Sequence, residues 1–482
     1  MLLNFNSRSE TMSLLKDVLV YSRIKRKTLF LVGGYLRDLY LNRQKQNPDL
    51  DFCLSRQAIN FGKGLAKNLR AGFVVLDKEH GAARVVKKIK DKVYTLDFTD
   101  FRGKTLEEDL LHRDFTFNAL ALDLEKVFTS GSIRDLIVDP LGGREDLKKK
   151  IIRVVDKCAF IEDPLRILRA FSFSCLFGFK IDDATLKLAK LSKCDLAKVS
   201  SERIRDEFFK IFSSSDSYHC FLMLDKLKIL ELIFPEAKGM RGIGQGPYHH
   251  LDVWQHTLET INELENLLRE LKNNRKVQDY LDEVISADRK RSSLIKLGAF
   301  LHDIGKPKTL RRHEGKITFH GHERVGMRLA EEIFRRLKLS NEEINSLKKI
   351  ILCHLRPGYL ADNQTITPRA TFRFFRDAQD EAVSVLLISV ADQRATKGPL
   401  TTKSSRRHHE ETAFGLIKKY FKKKEEKKEP RLLDGHDIMK ALKLSPSPVV
   451  GKILSELEEL QAIGRIKTKA EALRQAKKLV NK

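Results

Sequence analysis

LFLVGGYLRDLYLNRQKQNPDLDF, residues 29–52, contains two patterns that point to chemistry. The first four residues are apolar and predict a short buried strand. Gly33 and Gly34 follow at once, and the residues after them have a helical pattern. A strand whose final glycines open a helix presents backbone N–H groups to an anion. The pattern therefore predicts a binding site for a triphosphate.

The second pattern is the pair of carboxylates Asp49 and Asp51 in DLDF. In an extended strand, side chains two residues apart project from the same face. Two adjacent carboxylates repel each other unless a cation lies between them, and their hard oxygen atoms suit Mg²⁺. Beside a phosphate site, such a pair predicts metal-assisted phosphoryl or nucleotidyl transfer. The alternative is a surface turn at Asn47-Pro48 with two solvated aspartates and glycines that only close a turn.

The composition predicts a polyanionic partner. The 482 residues carry a formal net charge of +26, from 91 Lys and Arg against 65 Asp and Glu, so nucleic acid is the natural candidate. No obligate protein partner is predicted. A membrane is disfavoured, because the longest apolar run, residues 382–391, is too short to span it and the N-terminus lacks a signal-peptide pattern. Six cysteines without CxxC spacing predict reduced core thiols in a cytoplasmic protein.

Alternating patterns after residue 52 predict further strands. They occur in three segments, residues 72–76, 83–89 and 92–98. The last segment carries Asp97, a candidate third carboxylate for a two-metal site with Asp49 and Asp51. Taken alone, an aspartate at a strand end is more typical of a turn.

Five motifs, in this order, resemble those of a known family. They are GGYLRD from Gly33, DLD from Asp49, RDFTFNA from Arg113, DPLGGREDL from Asp139 and EDPLRILRA from Glu162. Their order is similar to that in the class II CCA-adding tRNA nucleotidyltransferases and the bacterial poly(A) polymerases that share their head. The resemblance covers most of the chain.

The resemblance implies a role for each matching residue. Asp49 and Asp51 would hold Mg²⁺ and carry catalysis, with Asp97 in support. The other matches would bind the nucleotide: Gly33, Gly34 and Arg37 at the phosphates, Arg113 and Asp114 at the ribose or phosphates, and Glu162, Asp163, Arg166 and Arg169 in the segment that selects the base.

Asp163 and Arg166 would act as a protein template for the base. Aspartate accepts from an exocyclic amine and arginine donates in a fixed fork, so the pair can mimic the edge of a complementary base. Cytosine and adenine both present an amine beside a ring acceptor, so one pair could select CTP and ATP and reject UTP and GTP. An ordinary surface ion pair is the alternative. Residues 200–204, SSERI, resemble the last family motif, for which a structural role is predicted.

Two departures from the family pattern bear on specificity. Only residues 99–112 separate the strand of Asp97 from RDFTFNA, where full CCA-adding members have a longer segment with a flexible loop. The short segment leaves addition of the final A open and favours a CC-adding or an A-adding enzyme. His112 also stands where many relatives have an arginine.

A second group of candidate site residues lies in residues 240–400. Its members are His256, His302, Asp303, His322, His354 and Asp392. Their order and the LHDIGKP context resemble the HD domain, a helical metal-dependent phosphohydrolase fold. Imidazole and carboxylate ligands imply a divalent metal, Mn²⁺, Ni²⁺ or Mg²⁺. Phosphatase or 2′,3′-cyclic phosphodiesterase activity on RNA ends would suit work at the 3′ end, and a purely structural module is the alternative.

Together the patterns predict an α+β fold: a small mixed-sheet nucleotidyltransferase head, then an all-helical neck, an HD domain and a C-terminal helical tail. The predicted domains are the head at 1–145, the neck at 146–238, the HD domain at 239–400 and a basic tRNA-binding tail at 401–482. The lysine-rich run at 418–430 fits RNA contact and a solvated helix face equally well.

The predicted activity is addition of C and A to the 3′ end of tRNA from CTP and ATP, with release of pyrophosphate. Three alternatives stay open within the class: a CC-adding enzyme, an A-adding enzyme and a poly(A) polymerase. From another class, the chain could be an HD phosphohydrolase with an inactive head.

Overall fold

The computed structural model describes residues 10–43, 48–129, 133–363, 365–426 and 430–480. Asn47 of the predicted turn and residues 427–429 of the lysine-rich run lie outside this part of the chain. The chain divides into two compact units, Met1–Arg203 and Ile204–Lys482.

The first unit contains a mixed sheet. Its strands are β1 (Phe30–Val32), β2 (Asp49–Leu54), β3 (Gly72–Asp77), β4 (Ala82–Ile89), β5 (Lys92–Asp100), β6 (Ala121–Asp123), β7 (Ile137–Val138), β8 (Ile151–Ile152) and β9 (Lys180–Ile181). The first seven form one sheet in the order β3-β4-β5-β2-β1-β6-β7. β2 and β5 are parallel and the other neighbours are antiparallel, so the predicted mixed sheet is confirmed. β8 and β9 form a separate ribbon.

Helices cover the sheet and continue beyond it. Those of the first unit are α1 (Glu10–Ile24), α2 (Gly34–Tyr40), α3 (Ala58–Leu69), α4 (Leu106–Leu111), α5 (Leu124–Thr129), α6 (Gly143–Lys149), α7 (Ala159–Glu162), α8 (Leu165–Phe177) and α9 (Asp183–Ser192). α10 (Ser201–Phe212) contains the boundary between the units.

The alternation of β2 and β5 separates an apolar face from a polar one. Phe52 and Phe98 are fully buried on the apolar face, with ring centroids 5.0 Å apart and planes at 10°. Phe61 of α3 packs on Phe98 at 5.3 Å. Each buried aromatic side chain contributes roughly 1.5–3 kcal/mol. This packing holds the register that turns Asp51 and Asp97 to the opposite face.

The second unit is helical apart from two short ribbons. Its helices after α10 are α11 (Ser217–Lys226), α12 (Leu230–Ile233), α13 (Val253–Glu270), α14 (Arg275–Leu281), α15 (Arg291–Leu301), α16 (Lys306–Thr309), α17 (His322–Arg336), α18 (Asn341–Cys353), α19 (Arg356–Ala361), α20 (Pro368–Ala378), α21 (Ala382–Ala395), α22 (Lys403–Glu425), α23 (Gly435–Leu442), α24 (Pro448–Ala462) and α25 (Lys469–Val480). The ribbons pair β10 (Val284–Ser286) with β11 (Arg289–Lys290), and β12 (Arg311–His313) with β13 (Lys316–Thr318).

The predicted helical region after residue 145 is confirmed, with the three ribbons as exceptions. Their strands contain only two or three residues, which is too short to show an alternating pattern. The apolar run at 382–391 forms most of α21 and belongs to a buried core of this unit, so its apolar surface is covered by other helices. Among the described helices, none has the length and apolar character needed to span a bilayer.

The cysteines are free thiols, but they do not all lie in the core. Cys53, Cys220 and Cys353 are buried, whereas Cys158 and Cys194 are exposed. The prediction of core thiols is therefore wrong for the last two. Both stand next to helix ends, Cys158 before α7 and Cys194 after α9, where side chains reach solvent.

Candidate active site and metal centre

The candidate active site of the first unit lies where β1, β2 and β5 run side by side. β2 and β5 are parallel with Asp51 opposite Asp97, so the two carboxylates share one sheet face, and Asp49 lies on that face two residues earlier. β1 ends opposite Asp51, and Gly33 follows. A Cβ added to Gly33 would lie 3.2 Å from Oδ2 of Asp51 and 3.1 Å from Nη1 of Arg113. The structure therefore brings together Arg113, the carboxylates and the two glycines at the start of α2, Gly33 and Gly34, which we call the glycine corner.

Gly33 contributes to the site through its missing side chain, which leaves space, and not through its N–H group. Its φ of +76° lies in the left-handed region that favours glycine. Its N–H donates to the carbonyl of Leu120 at 3.2 Å, so this group is used within the protein. At Gly34, a Cβ would lie 3.3 Å from Nη2 of Arg37. The corner thus leaves room beside Asp51 for an anion.

Arg37 is a buried supporting residue in this structure. Its Nη1 donates to Oδ1 of Asn118 at 2.8 Å, and its Nε donates to Oδ1 of Asp38 at 2.8 Å. The guanidinium lies over the rings of Phe173 and Phe177, at 5.1 and 4.8 Å from their centroids. These contacts hold α2 against α8, and direct contact of Arg37 with a phosphate stays a prediction.

Asp114 is the centre of a buried network. Its Oδ2 accepts from Nε and Nη2 of Arg169 at 2.9 and 2.7 Å, and its Oδ1 accepts from Asn118 and from the N–H of Phe115. Burial acts to raise the pKa of Asp114, but the charge of Arg169 and these hydrogen bonds outweigh burial and hold this pKa below its ordinary value. Asp114 is therefore ionised, and it fixes Arg169 on α8.

Arg113 has hydrogen-bonding capacity to spare. Its Nη2 lies 3.4 Å from Oδ2 of Asp109, and its buried Nε has no hydrogen-bond partner among the described residues. Because an orphaned buried donor costs about 1–3 kcal/mol, such a group favours an incoming acceptor. Its position beside Gly33 makes phosphate or ribose oxygen atoms suitable acceptors.

The predicted base-selecting residues lie at the junction of α7 and α8. Asp163 follows α7, and its Oδ2 accepts from Nη2 of Arg203 at 2.7 Å. Arg166 is buried, and its guanidinium donates to the carbonyls of His112 and Ala159, at 2.6 and 3.2 Å. Both side chains of the predicted template therefore already have protein partners.

Glu162 completes this junction. Its Oε1 lies 2.9 Å from Nδ1 of His112, and its Oε2 accepts from Arg166 at 3.3 Å. His112 thus contacts Glu162 through its ring and Arg166 through its carbonyl. The residue that departs from the family pattern lies inside the predicted template.

Arg84 on β4 was not singled out in the sequence. Its Nε and Nη2 donate to the two carboxylate oxygens of Asp97, at 2.8 and 2.7 Å. This bond raises the pKa of Arg84, and the charges of Asp49 and Asp51 add to the effect. The predicted third carboxylate is therefore engaged through both oxygens. The position of Arg84 in the alternating pattern of residues 83–89 was the available signal.

In the second unit, the six predicted residues form two adjoining groups. One contains His256, His302 and Asp392, and the other contains Asp303, His322 and His354; within each group the ligand atoms lie within 4.8 Å of one another. The groups adjoin at Asp303, whose Oδ2 lies 3.2 Å from Nε2 of His302 and whose Oδ1 lies 3.3 Å from Nε2 of His322. The structure brings these remote residues together, and metal binding by them stays a prediction.

The histidines are oriented to bind metal through Nε2. The Nδ1 atoms of His302, His322 and His354 lie 2.7–2.8 Å from backbone carbonyls, which accept from N–H. In a neutral ring each Nε2 then carries the lone pair. Burial acts to lower the pKa of His302, but the charge of Asp303 outweighs burial and raises this pKa, so a metal at Nε2 of His302 binds in competition with a proton. The Nε2 atoms of His322 and His354 face each other at 3.3 Å, a repulsive arrangement that a cation would relieve. The donor set therefore fits a divalent metal.

The ionisation states also suit a metal site. Burial lowers the pKa of His354 to about 3, so its imidazole is neutral. Burial acts to raise the pKa of Asp303, but the charges of His302 and Lys306 outweigh it and hold this pKa well below its ordinary value. Lys306, with Nζ 2.6 Å from Oδ2 of Asp303, was not singled out in the sequence. Its occurrence in HDIGK was the available signal.

Family profiles match most of the chain, and so do individual known proteins. The family profile described as "Poly A polymerase head domain" matches residues 29–153, that described as "Probable RNA and SrmB- binding site of polymerase A" matches residues 178–240, and that described as "HD domain" matches residues 253–463. The A-adding tRNA nucleotidyltransferase of Deinococcus radiodurans is 31% identical over 449 residues, which are 92% of this chain and 93% of that protein. The chain belongs to the tRNA nucleotidyltransferase and poly(A) polymerase family.

Other tRNA nucleotidyltransferases are also similar to this chain, in sequence or in fold. The CC-adding tRNA nucleotidyltransferase of Thermus thermophilus is 28% identical over 457 residues, 92% of each chain. The solved Thermotoga maritima CCA-adding enzyme complexed with tRNA has a TM-score of 0.63 at 20% identity and covers 99% of this chain, with 98% of its own length matched. That likeness shows the fold. This chain is therefore an enzyme, a tRNA nucleotidyltransferase with an HD region.

Replacing Gly33 by Ala tests the glycine corner. The Gly33 backbone, with φ +76° and ψ −140°, is close to a region that only glycine adopts readily, so alanine is unfavourable there by about 1–3 kcal/mol. The added methyl group would also displace Asp51 or Arg113, so we expect nucleotide incorporation to fall about a hundredfold, as misplacement of reacting groups produces. Incorporation of labelled CTP or ATP into tRNA measures this.

Gly178→Ala is the matched control. Gly178 also has a positive φ, of +67°, but a Cβ there would meet nothing within 4 Å. Because its ψ of 31° places it in the ordinary left-handed region, Gly178→Ala should lose about 1–2 kcal/mol of stability and keep near-normal incorporation. Equal loss of incorporation in the two variants would mean that backbone strain alone explains the effect.

Replacing Asp303 by Ala tests the metal centre. Because Asp303 adjoins both ligand groups, we expect the variant to lose most of the metal bound by the wild-type protein, as measured by elemental analysis after dialysis. His313→Ala, which removes an exposed histidine of β12, should retain it. Unchanged metal content in the Asp303 variant would contradict the assignment.

Proposed function

We propose that this tRNA nucleotidyltransferase adds C and A to the 3′ end of tRNA, from CTP and ATP, with release of pyrophosphate. The observation that carries the proposal is the register of Asp51 opposite Asp97, beside the space at Gly33. The names of the relatives and the solved complexes of CCA-adding enzymes with CTP and with ATP support the choice of substrates.

In the proposed mechanism, Asp49 and Asp51 hold Mg²⁺, because their oxygens share one sheet face and suit a hard cation. When bound, the cation supplies charge stabilisation at the transferred phosphoryl group. The space at Gly33 admits phosphate oxygens beside Asp51. Arg113, with its orphaned Nε, donates to the phosphates or the ribose.

Base selection is proposed for Asp163 and Arg166, with Glu162 and Arg169 in support. Before a nucleotide arrives, Asp163 bonds to Arg203 and Arg166 donates to backbone carbonyls. An incoming cytosine or adenine would exchange these bonds for its own, so little polar surface is left unpaired. A base with the opposite donor pattern would leave the buried guanidinium without an acceptor, which explains its rejection.

The proposed domains divide this work. Residues 1–145 transfer the nucleotide, residues 146–238 select it, residues 239–400 form the HD domain and residues 401–482 hold tRNA. The profile for the HD domain extends to residue 463, past the proposed boundary. In support of a separate tail, α23, α24 and α25 share an apolar core of their own. We propose that the tail binds RNA largely through its positive charge.

A second candidate function is addition of only CC or only A. The segment between β5 and Arg113 is short and contains α4, which Thr105 caps by accepting from the N–H of Glu108 at 3.3 Å. A short capped helix in place of a long loop favours partial addition. The relatives that match nearly the whole chain include A-adding and CC-adding enzymes.

Three tRNA transcripts, ending before CCA, after C and after CC, test the proposal when each is given labelled CTP or ATP with Mg²⁺. Completion of all three to CCA supports full addition. Arrest after CC, or growth only of the CC-ended transcript, establishes a partial enzyme. Long A tails would indicate a poly(A) polymerase, and no incorporation would contradict the transferase proposal.

The same assay tests the carboxylates. Asp49→Ala combined with Asp51→Ala should abolish incorporation without unfolding the protein, because the pair lies on the polar sheet face. Asp91→Ala, which removes an exposed acid before β5, is the matched control and should be active. Retained incorporation in the double variant would refute the assignment.

For the HD centre, we propose hydrolysis of 3′-phosphate or 2′,3′-cyclic phosphate ends of RNA. The two adjoining ligand groups support this, because paired metals stabilise both the attacking and the leaving oxygen of a phosphate ester. Unblocked ends would then be substrates for the transferase.

RNA fragments that end in a cyclic phosphate or a 3′-phosphate test the hydrolase. We expect wild-type protein to convert them to 3′-hydroxyl ends, and Asp303→Ala to lose at least about a hundredfold in rate, because a metal ligand is missing. The same variant should still incorporate CTP or ATP on a 3′-hydroxyl end. No conversion by wild-type protein loaded with Mn²⁺, Ni²⁺ or Mg²⁺ would favour a purely structural HD module.

A further inference from the structure

Arg84, Asp97 and Asp51 form one row across three neighbouring strands. Arg84 of β4 lies opposite Asp97 of β5, which in turn lies opposite Asp51 of β2. Because residues opposite each other project to the same face, all three side chains reach the polar face of the sheet. Gly33 lies at the other end of this row, next to Asp51.

The contact between Arg84 and Asp97 is bidentate and only half covered. Nε and Nη2 of Arg84 use both oxygens of Asp97, at 2.8 and 2.7 Å. The side chain of Arg84 is 43% exposed and that of Asp97 is 20% exposed. The remaining nitrogen of the guanidinium, Nη1, is outside this pair. Asp97 therefore holds Arg84 in place and leaves it able to bind an anion.

The in-line geometry of phosphoryl transfer indicates which anion Arg84 would bind. In phosphoryl transfer the attacking and leaving oxygens lie roughly in line on opposite sides of the phosphorus. The proposed triphosphate site is at Gly33, on the β1 side of Asp51. The RNA 3′ end must then approach from the other side of Asp51, where β5 and β4 present Asp97 and Arg84.

We propose that Arg84 binds a phosphodiester group at the 3′ end of the RNA substrate, and that Asp97 is a positioning residue that holds Arg84. The inference rests on the proposed nucleotidyl transfer and names a contact for its second substrate. Asp49, Asp51 and Asp97 together repel RNA phosphates. Arg84 supplies a positive charge at the point where the RNA must come close to them.

The test measures binding of two tRNA transcripts in EDTA by fluorescence anisotropy. One transcript ends in CC, and the other lacks the single-stranded 3′ end. For Arg84→Ala we expect binding of the complete transcript to weaken about tenfold and its salt dependence to decrease by about one unit of slope, since one phosphate contact is lost. Binding of the shortened transcript should be unchanged.

The matched control is Lys88→Ala. Lys88 is an exposed cation on the same face of β4, about 13 Å further along the strand at roughly 3.3 Å per residue. It should leave both affinities unchanged. Arg84→Lys should restore part of the loss, because it keeps the charge without the fork.

Kinetics give a second readout. Arg84→Ala should raise KM for tRNA about tenfold and leave KM for CTP or ATP within about twofold. Asp97→Asn should behave in the same way, and the double variant should be no worse than either single one, since both act through one contact.

Three results would overturn the inference: equal weakening for both transcripts, a raised KM for the nucleotide in place of the tRNA, or additive losses in the double variant. If wild-type protein incorporates no nucleotide, the proposed function fails. The binding experiment in EDTA then still decides whether Arg84 contacts the RNA end.

Discussion

The register between β2 and β5 is the constraint on which the head depends. The parallel pair places Asp51 beside Asp97, and the stacked rings of Phe52 and Phe98 on the opposite face stabilise this register. A slip of one residue would turn the carboxylates into the core and the aromatic rings into solvent. Apolar burial on the far side of the sheet therefore helps to hold the site, together with a buried cluster around Val32 and Cys53 on the same side as Asp51.

Once the carboxylates are gathered, their charges must be balanced within the protein. Arg84 engages Asp97, Arg169 engages Asp114 and Arg203 engages Asp163, each by contacts of 2.7–2.9 Å. Removing one partner of such a pair would leave a partly buried charge without compensation. These three carboxylates thus have protein partners before any substrate arrives. At Asp163 a base must exchange partners with Arg203, whereas Arg84 can keep Asp97 and offer Nη1 to a substrate.

Local sequence patterns predicted the strands and helices. Whether an arginine supports the fold or contacts substrate depends on tertiary contacts, which these patterns do not show. The alternating strands and the glycines at the start of α2 were evident from the sequence, because they depend on neighbours a few residues apart. The burial of Arg37 between Phe173 and Phe177 depends on residues more than a hundred positions away. The pairing of Arg84 with Asp97 needed the strand order. A motif therefore identifies residues near the chemistry, but does not separate those that touch substrate from those that support them.

In the metal centre, short sequence motifs predict ligands because the local backbone orients the histidine rings. His302 and His354 each stand at the C-terminal end of a helix, and their Nδ1 atoms lie 2.7 Å from carbonyls three residues earlier. Those carbonyls lack an intrahelical partner because the helices end there. The helix end thus fixes the tautomer and directs Nε2 inward before any metal binds. Because this preorganisation depends on only one turn of chain, LHDIGKP and CHLRP indicate ligands even though their partners lie far away in sequence.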